Sequence, residues 1–312
     1  MALAFAVVHA HAAALYPTRP IRMIVPFPPG GSTDVVARMV ATRMGDGLGQ
    51  MVIVDNRPGA GGNLGSEIAA RSEPDGYTLV MGTVATVTIN QSLYARLNYD
   101  PEKDLVPLST VATAFQVLLA HPAANLNSVA DVIRVAKERP GALTAGSASN
   151  GTTGHLSLEL MKQLVQIGIT HVPFRDAGPA QVALLGGQVQ LLFDSITTAI
   201  PHVQSGRVRA LGVTSKTRTT LLPGVPAIDE TIPGFETTGW FALLVRTGAP
   251  VEIRSRLVRE ITGVLSREDV RARIMSLGAE PVVLTGPPLE RYINDERVKW
   301  KRVIRQANIK TD

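Results

Sequence analysis

The chain has 312 residues, of which 45% are hydrophobic and 18% charged, the balance of a globular protein long enough for two domains. Aromatics at 4% leave no stacking platform for single-stranded nucleic acid, and the absence of cysteine excludes disulfides, thiolate metal sites and cysteine nucleophiles. The net charge of +5 does not mark a nucleic-acid reader: residues 251–312 hold 13 of the 31 Lys/Arg against 9 of the 26 Asp/Glu, largely along one expected solvated helix around Arg297 to Lys310, and no recognition motif accompanies them.

Residues 1–15 are apolar and end in small residues, with Ala10-His11-Ala12 near the end. They resemble the apolar core and cleavage site of a secretory leader without its usual basic start. No other stretch approaches the length of a membrane span.

Ile21–Val25 reads as a buried strand. Pro28-Pro29-Gly30-Gly31 breaks it, and Ser32, Thr33 and Asp34 occupy the expected cap of a helix starting at Val35. A strand, a Gly-rich turn and a helix N-terminus make an anion site, because unpaired N–H groups and the helix dipole both favour negative charge there. Gly30 and Gly31 allow close approach to the backbone.

Met51–Asp55 is the second expected strand. It leads into Asn56-Arg57-Pro58-Gly59-Ala60-Gly61-Gly62 and a helix from Ser66. The glycines lack dinucleotide-binding spacing, so a tight turn is expected. A third strand, Tyr77–Met81, ends near Thr83 and Thr86. These are candidate ligand donors at a strand's C-terminal end, or simply turn caps.

A long extended run covers 104–122. A helix at 129–138 follows, then a short strand ending at Gly146. The loop Ser147-Ala148-Ser149-Asn150-Gly151-Thr152-Thr153-Gly154 opens a helix at His155. It repeats the design of residues 26–34, with glycines, hydroxyls and backbone donors at a helix start. Strands are expected at 170–174, 189–195 and 207–214, with Asp194 at the end of the second. A second long extended run covers 239–245, and helices are expected at 250–265, 270–277 and 288–307. Alternating strands and helices imply parallel, three-layered α/β packing. If both long runs are crossovers, 16–112 with 240–312 form one lobe and 113–239 the other.

No G-x-S-x-G elbow, H-E-x-x-H, H-x-x-x-H or G-x-x-x-x-G-K-[ST] sequence is present, so serine hydrolysis, zinc and nucleotide binding are not expected. Asp194 either accepts a hydrogen bond from a ligand amine or hydroxyl or caps the next helix. Arg175 either meets a second ligand carboxylate or is a solvated side chain.

The segments Pro20–Phe27 with Pro29–Asp34, Asn56–Gly62, Pro74–Leu79, Tyr99–Pro101, His171–Phe174, Arg209–Thr214 and Leu222–Pro226 together resemble the substrate-binding receptors of tripartite tricarboxylate transporters, the Bug receptors. Each segment is short, and their joint order is specific. The resemblance runs from about Tyr16 to the C-terminus. It implies a type II periplasmic-binding-protein fold, two α/β lobes joined by two crossover segments with a ligand cleft between them. It also implies a monomeric, exported receptor that is not an enzyme, uses no cofactor or metal, and passes a small carboxylate to membrane permease subunits. A sensor delivering the loaded receptor to a signalling partner, or an enzyme on the same clamp, are the alternatives.

The resemblance assigns ligand binding to the loops Phe27, Gly30, Gly31, Ser32, Thr33, Asp34 and Ser147, Asn150, Gly151, Thr152, Thr153, His155. Asp194 is the acid that helps set ligand choice. Two stretches depart from the family pattern: Val165-Gln166-Ile167-Gly168, and Arg175-Asp176-Ala177 after the Pro-aromatic pair. A citrate-like acid, a dicarboxylate, an amino acid, an aromatic acid and nicotinate all remain open as ligands, with the low aromatic content favouring an aliphatic one.

Overall fold

The structure is a computed structural model and describes residues 16–175 and 177–309. The expected leader and Asp176 lie outside the described residues. In chain order the elements are β1 (Ile21–Val25), α1 (Ser32–Leu48), β2 (Val52–Asn56), α2 (Asn63–Ala70), β3 (Thr78–Thr83), a π-helical turn (Ala85–Ile89) running into α3 (Asn90–Leu93), and β4 (Leu105–Ala120). They continue with α4 (Val129–Glu138), β5 (Thr144–Ser147), α5 (Thr153–Val165), β6 (Thr170–Pro173), α6 (Ala177–Leu185), β7 (Leu191–Ser195), α7 (Ile196–Gln204) and β8 (Arg209–Val213). The chain closes with β9 (Thr238–Arg246), α8 (Val251–Ser266), α9 (Glu268–Ser276), β10 (Ala279–Glu280) and α10 (Gly286–Ala307). No helix among the described residues is long and apolar enough to cross a membrane.

The chain divides into two compact units. The first comprises residues up to Gln91, Arg96–Ala112 and Trp240–Arg297, and the second Ser92–Ala95, Thr113–Gly239 and the chain from Val298. The sequence reading keeps all of 240–312 with the first lobe. In the structure the end of α10 groups with the second unit. There Trp300 and Val303 are buried, Gln163 Nε2 donates to the Val303 carbonyl (3.0 Å) and Lys299 Nζ to the Glu236 carbonyl (3.1 Å).

In the first unit β1 is flanked by β2 and β3, both parallel to it, and β9 pairs antiparallel with β3. Ile21, Met23, Ile24 and Val25 are fully buried, as an apolar strand between two neighbours with helices packed against it requires. In the second unit β5 pairs parallel with β6 and β7, while β4 runs antiparallel to β7 and β8. Phe115, Val117 and Leu119 of β4 pack with Leu192, Ile196 and Val213 in the core. The expectation of parallel strands therefore holds for the βα repeats and fails for β4 and β9. These two are the segments where the chain passes between units, so each joins its sheet without a βα crossover, and an antiparallel sense is open to it.

Candidate functional site

In the first unit helix α1 begins at Ser32, and its cap position is Gly31, which has no side chain to satisfy the first-turn amides. Ser32, Thr33 and Asp34 are therefore inside the first turn rather than at the cap. Gly30, with φ +85°, turns the chain into it. Gly30, Gly31 and Ser32 are exposed, while Thr33 and Asp34 are buried.

Asp34 holds this loop together. Its Oδ2 accepts from the Gly30 amide (2.9 Å) and Arg38 Nε (3.0 Å), and its Oδ1 accepts from Asn56 Nδ2 (2.8 Å). Asn56 also donates to the Phe27 carbonyl (3.1 Å). Burial alone pushes the Asp34 carboxyl up, but the bonds from Arg38, Gly30 and Asn56 outweigh it and hold the group below the ordinary carboxylate value. Its polar capacity is spent on the loop.

Thr83 and Thr86 likewise bond to each other. The Thr83 amide donates to Thr86 Oγ1 (3.0 Å) and the Thr86 amide to Thr83 Oγ1 (3.4 Å). Both are buried. Behind Phe27, Gly62 is so close that a Cβ there would lie 2.6 Å from Thr86 Cγ2 and 3.0 Å from Phe27 Cζ. The glycine-rich turn 59–62 thus serves close packing, as the sequence reading expects.

The second unit contains a cavity of about 200 Å³ lined by Thr152, Thr153, Gly154, Gln116, Asp194 and Ala177, with apolar surface from Leu192 and Phe193 behind them. Helix α5 starts here. Its cap residue, Thr152, makes no side-chain capping bond; its hydroxyl donates instead to the Ser149 carbonyl (2.8 Å). The first-turn amides of α5 therefore lack a side-chain acceptor.

Gly154 is needed at this wall, since a Cβ would sit 2.9 Å from the Phe193 carbonyl oxygen. Asp194, at the end of β7, accepts from Gln181 Nε2 (2.6 Å), the Ser195 amide (2.8 Å) and Thr198 Oγ1 (3.1 Å). It thus braces the start of α7 and faces the cavity at once. Burial raises its pKa against the pull of those donors. Among the described residues no Lys or Arg lines this cavity.

Ser147 and His155 lie beneath the loop. Ser147 Oγ is 2.6 Å from His171 Nε2 and donates to the Ser149 carbonyl (3.0 Å). His155 Nδ1 accepts from the Gly151 amide (3.0 Å), so Nε2 carries the proton of the neutral ring. Asn150 and Gly151 form the loop itself. Arg175 is exposed and does not line the cavity.

The model of the tripartite tricarboxylate transporter family receptor matches residues 36–309. The chain belongs to this family. The receptor is 38% identical over 297 residues to protein BugT of Bordetella pertussis, covering 95% of this chain and 91% of that one. Among solved structures, R. palustris Rpa4515 with adipate aligns with a TM-score of 0.81 and 34% identity, over 95% of this chain and all of that one. MatC from Rhodopseudomonas palustris with bound malate aligns at 0.74 and 31%, over 93% of this chain and all of that one. The receptor thus has the two-lobe periplasmic-binding fold, and its family is one of substrate-binding receptors rather than enzymes.

Sequence reasoning missed Gln116, Gln181, Thr198 and Asn56 in this receptor. Gln116 had a signal: it is the one polar side chain within the apolar run Phe115–Ala120. Its Oε1 accepts from Ser157 at 3.2 Å while it lines the cavity. Gln181 and Thr198 have no signal in isolation, since their roles exist only once β7 brings Asp194 between α6 and α7.

Proposed function

We propose that this receptor captures a small carboxylate in the periplasm and delivers it to the permease subunits of a tripartite tricarboxylate transporter. The observation that carries the proposal is the cavity at the start of α5. It presents first-turn amides without a side-chain cap, the Thr153 hydroxyl and no basic side chain. Such a site binds an anion through neutral dipoles. Binding without a charge partner keeps release fast, as delivery to a permease requires. The adipate and malate of two similar structures accord with an aliphatic carboxylate.

Gly30, Gly31, Ser32 and Thr33 are proposed as the second set of donors, with Phe27 beside them. Thr83 and Thr86 act by holding the shape of that wall. Clamp closure, favoured by a ligand that binds the closed state better, is the proposed capture step. Asp194 favours ligands bringing a hydroxyl or amine to it. Arg175 has no role in this reading.

The test is a thermal-shift screen of protein starting at Tyr16, stripped of ligand by unfolding and refolding, against aliphatic carboxylates. A ligand at 100 times its Kd adds about 2.7 kcal/mol, a shift of several degrees. The hit is recovered chemically intact. Thr153→Val weakens it about tenfold, the loss of one hydrogen bond to a charged group. A panel without a hit, or Thr153→Val with full affinity, defeats the proposal.

A further inference from the structure

A second, larger cavity lies wholly within the first unit. It has a volume of about 410 Å³ and is walled by Leu105, Val106, Pro107, Leu244 and Ile293, with Arg254, Arg297, Glu102, Lys103 and Glu290 around them. Its size falls in the range of small-molecule sites, roughly 300–1,000 Å³. None of its lining residues belongs to the cavity at α5.

Charge pairing around it leaves one cation over. Arg297 Nε stands 3.0 Å from Glu102 Oε1, and Lys103 Nζ is 2.8 Å from Asp100 Oδ2. Arg254, on the first turns of α8, has no carboxylate within ion-pair distance among the described residues, and its buried Nε has no hydrogen-bond partner; the buried Nε of Arg297 also makes no hydrogen bond, but that side chain has its ion pair with Glu102. Glu290, on α10, is an exposed residue of the same lining. A buried guanidinium N–H without an acceptor is costly, and native proteins rarely leave one unused.

We propose that this cavity is a second ligand site, taking a small monocarboxylate with a short apolar tail. The carboxylate accepts from Arg254, and the tail lies on Leu105, Val106, Leu244 and Ile293. A single unpaired guanidinium matches one carboxylate, because the other cations of the lining, Lys103 and Arg297, already have carboxylate partners. Glu290, in the same lining, repels the anion. The inference is independent of the ligand bound at α5.

The probe is hexanoate, titrated by calorimetry into the protein from Tyr16, with the wild type compared to Arg254→Gln, Arg254→Lys, Glu290→Gln and Thr153→Val. Expected is millimolar or tighter binding to the wild type. Arg254→Gln weakens it at least tenfold, Arg254→Lys weakens it partially, and Glu290→Gln tightens it severalfold, while Thr153→Val leaves it unchanged. The opposite signs of Arg254→Gln and Glu290→Gln separate a ligand contact from a fold defect. Absence of binding to the wild type at about 10 mM, equal binding to Arg254→Gln, or loss in Thr153→Val overturns the proposal. The last outcome places hexanoate in the α5 cavity instead.

Discussion

His155 and His171 stack ring on ring, with centroids 3.8 Å apart and planes inclined by 6°. Each ring also anchors the loop before α5, His155 through the Gly151 amide and His171 through Ser147. Burial, with Lys162 nearby, pushes His155 down to about 4. Burial, the neighbouring His155 and Lys162 push His171 down to about 4 against the pull of Glu159. Both are therefore neutral at pH 7. An unfolded histidine titrates near 6.5. Between about pH 6.5 and pH 4 the unfolded chain takes up protons that the folded chain refuses, so stability falls as pH falls through that window. A melting temperature several degrees lower at pH 4.5 than at pH 7.5 is expected, with a shallower slope in His171→Gln. Resonances of His155 and His171 titrating near 6.5 in the folded protein would contradict this account.

Asp34 fixes the first-unit loop through three donors, Gly30 in the preceding turn, Arg38 on its own helix and Asn56 on β2. Asp34→Ala removes the acceptor of the exposed Gly30 amide, of Arg38 and of the half-buried Asn56 amide, which keeps its bond to the Phe27 carbonyl. Hydrogen bonds contribute about 0.5–1.5 kcal/mol each and more to a charged group, so a loss of about 1–2 kcal/mol is expected by urea unfolding at pH 7. Because the folded pKa lies below the ordinary value, the wild-type advantage is present above that value and disappears as pH falls through the folded one. An Asp34→Ala variant as stable as wild type at pH 7 would show that the Asp34 bonds contribute nothing.

The βα framework was legible in the chain. Apolar runs such as Ile21–Val25 and Val129–Glu138 carry their period and their breakers locally, and they match β1 and α4 closely. Less legible was anything set by partners distant in sequence. Ser32 and Thr33 read as caps because hydroxyls favour that position, yet Gly31 takes it, since Asp34 reaches back to Gly30 and forward to Asn56 on β2. Thr83 and Thr86 read as ligand donors or turn caps; they are only three residues apart, and each amide donates to the other's hydroxyl. The antiparallel sense of β4 and β9 is likewise a property of where the chain crosses between units, which residue periodicity does not encode.

Glycines 30 and 62 provide a matched pair. Both have positive φ, +85° and +92°, but a Cβ on Gly30 meets nothing while one on Gly62 strikes Thr86 and Phe27. Gly30→Ala is expected to cost only the backbone strain, about 1 kcal/mol. Gly62→Ala adds a steric clash, bringing the loss to about 2–4 kcal/mol. It also displaces Phe27, so the variant weakens the carboxylate found by thermal shift. Equal melting temperatures for the two variants would remove the packing role assigned to the turn 59–62.

Asp194 tests whether bracing and selection reside in one side chain. Asp194→Asn turns one acceptor oxygen into a donor amide among Gln181, the Ser195 amide and Thr198, so a loss of about 1–3 kcal/mol is expected from a clash of donors. Thr198→Val removes one of those bonds and leaves the carboxylate in place at the cavity wall. If Asp194 also chooses the ligand, Asp194→Asn reorders affinities across a panel of malate, succinate and adipate, whereas Thr198→Val lowers stability and keeps the order. Hydroxyl-bearing malate loses most in Asp194→Asn, since it alone brings a donor to this carboxylate. A panel whose order is the same in both variants would assign Asp194 to bracing α7 alone, and the choice of ligand would then lie with Gln116 and the loop 150–153.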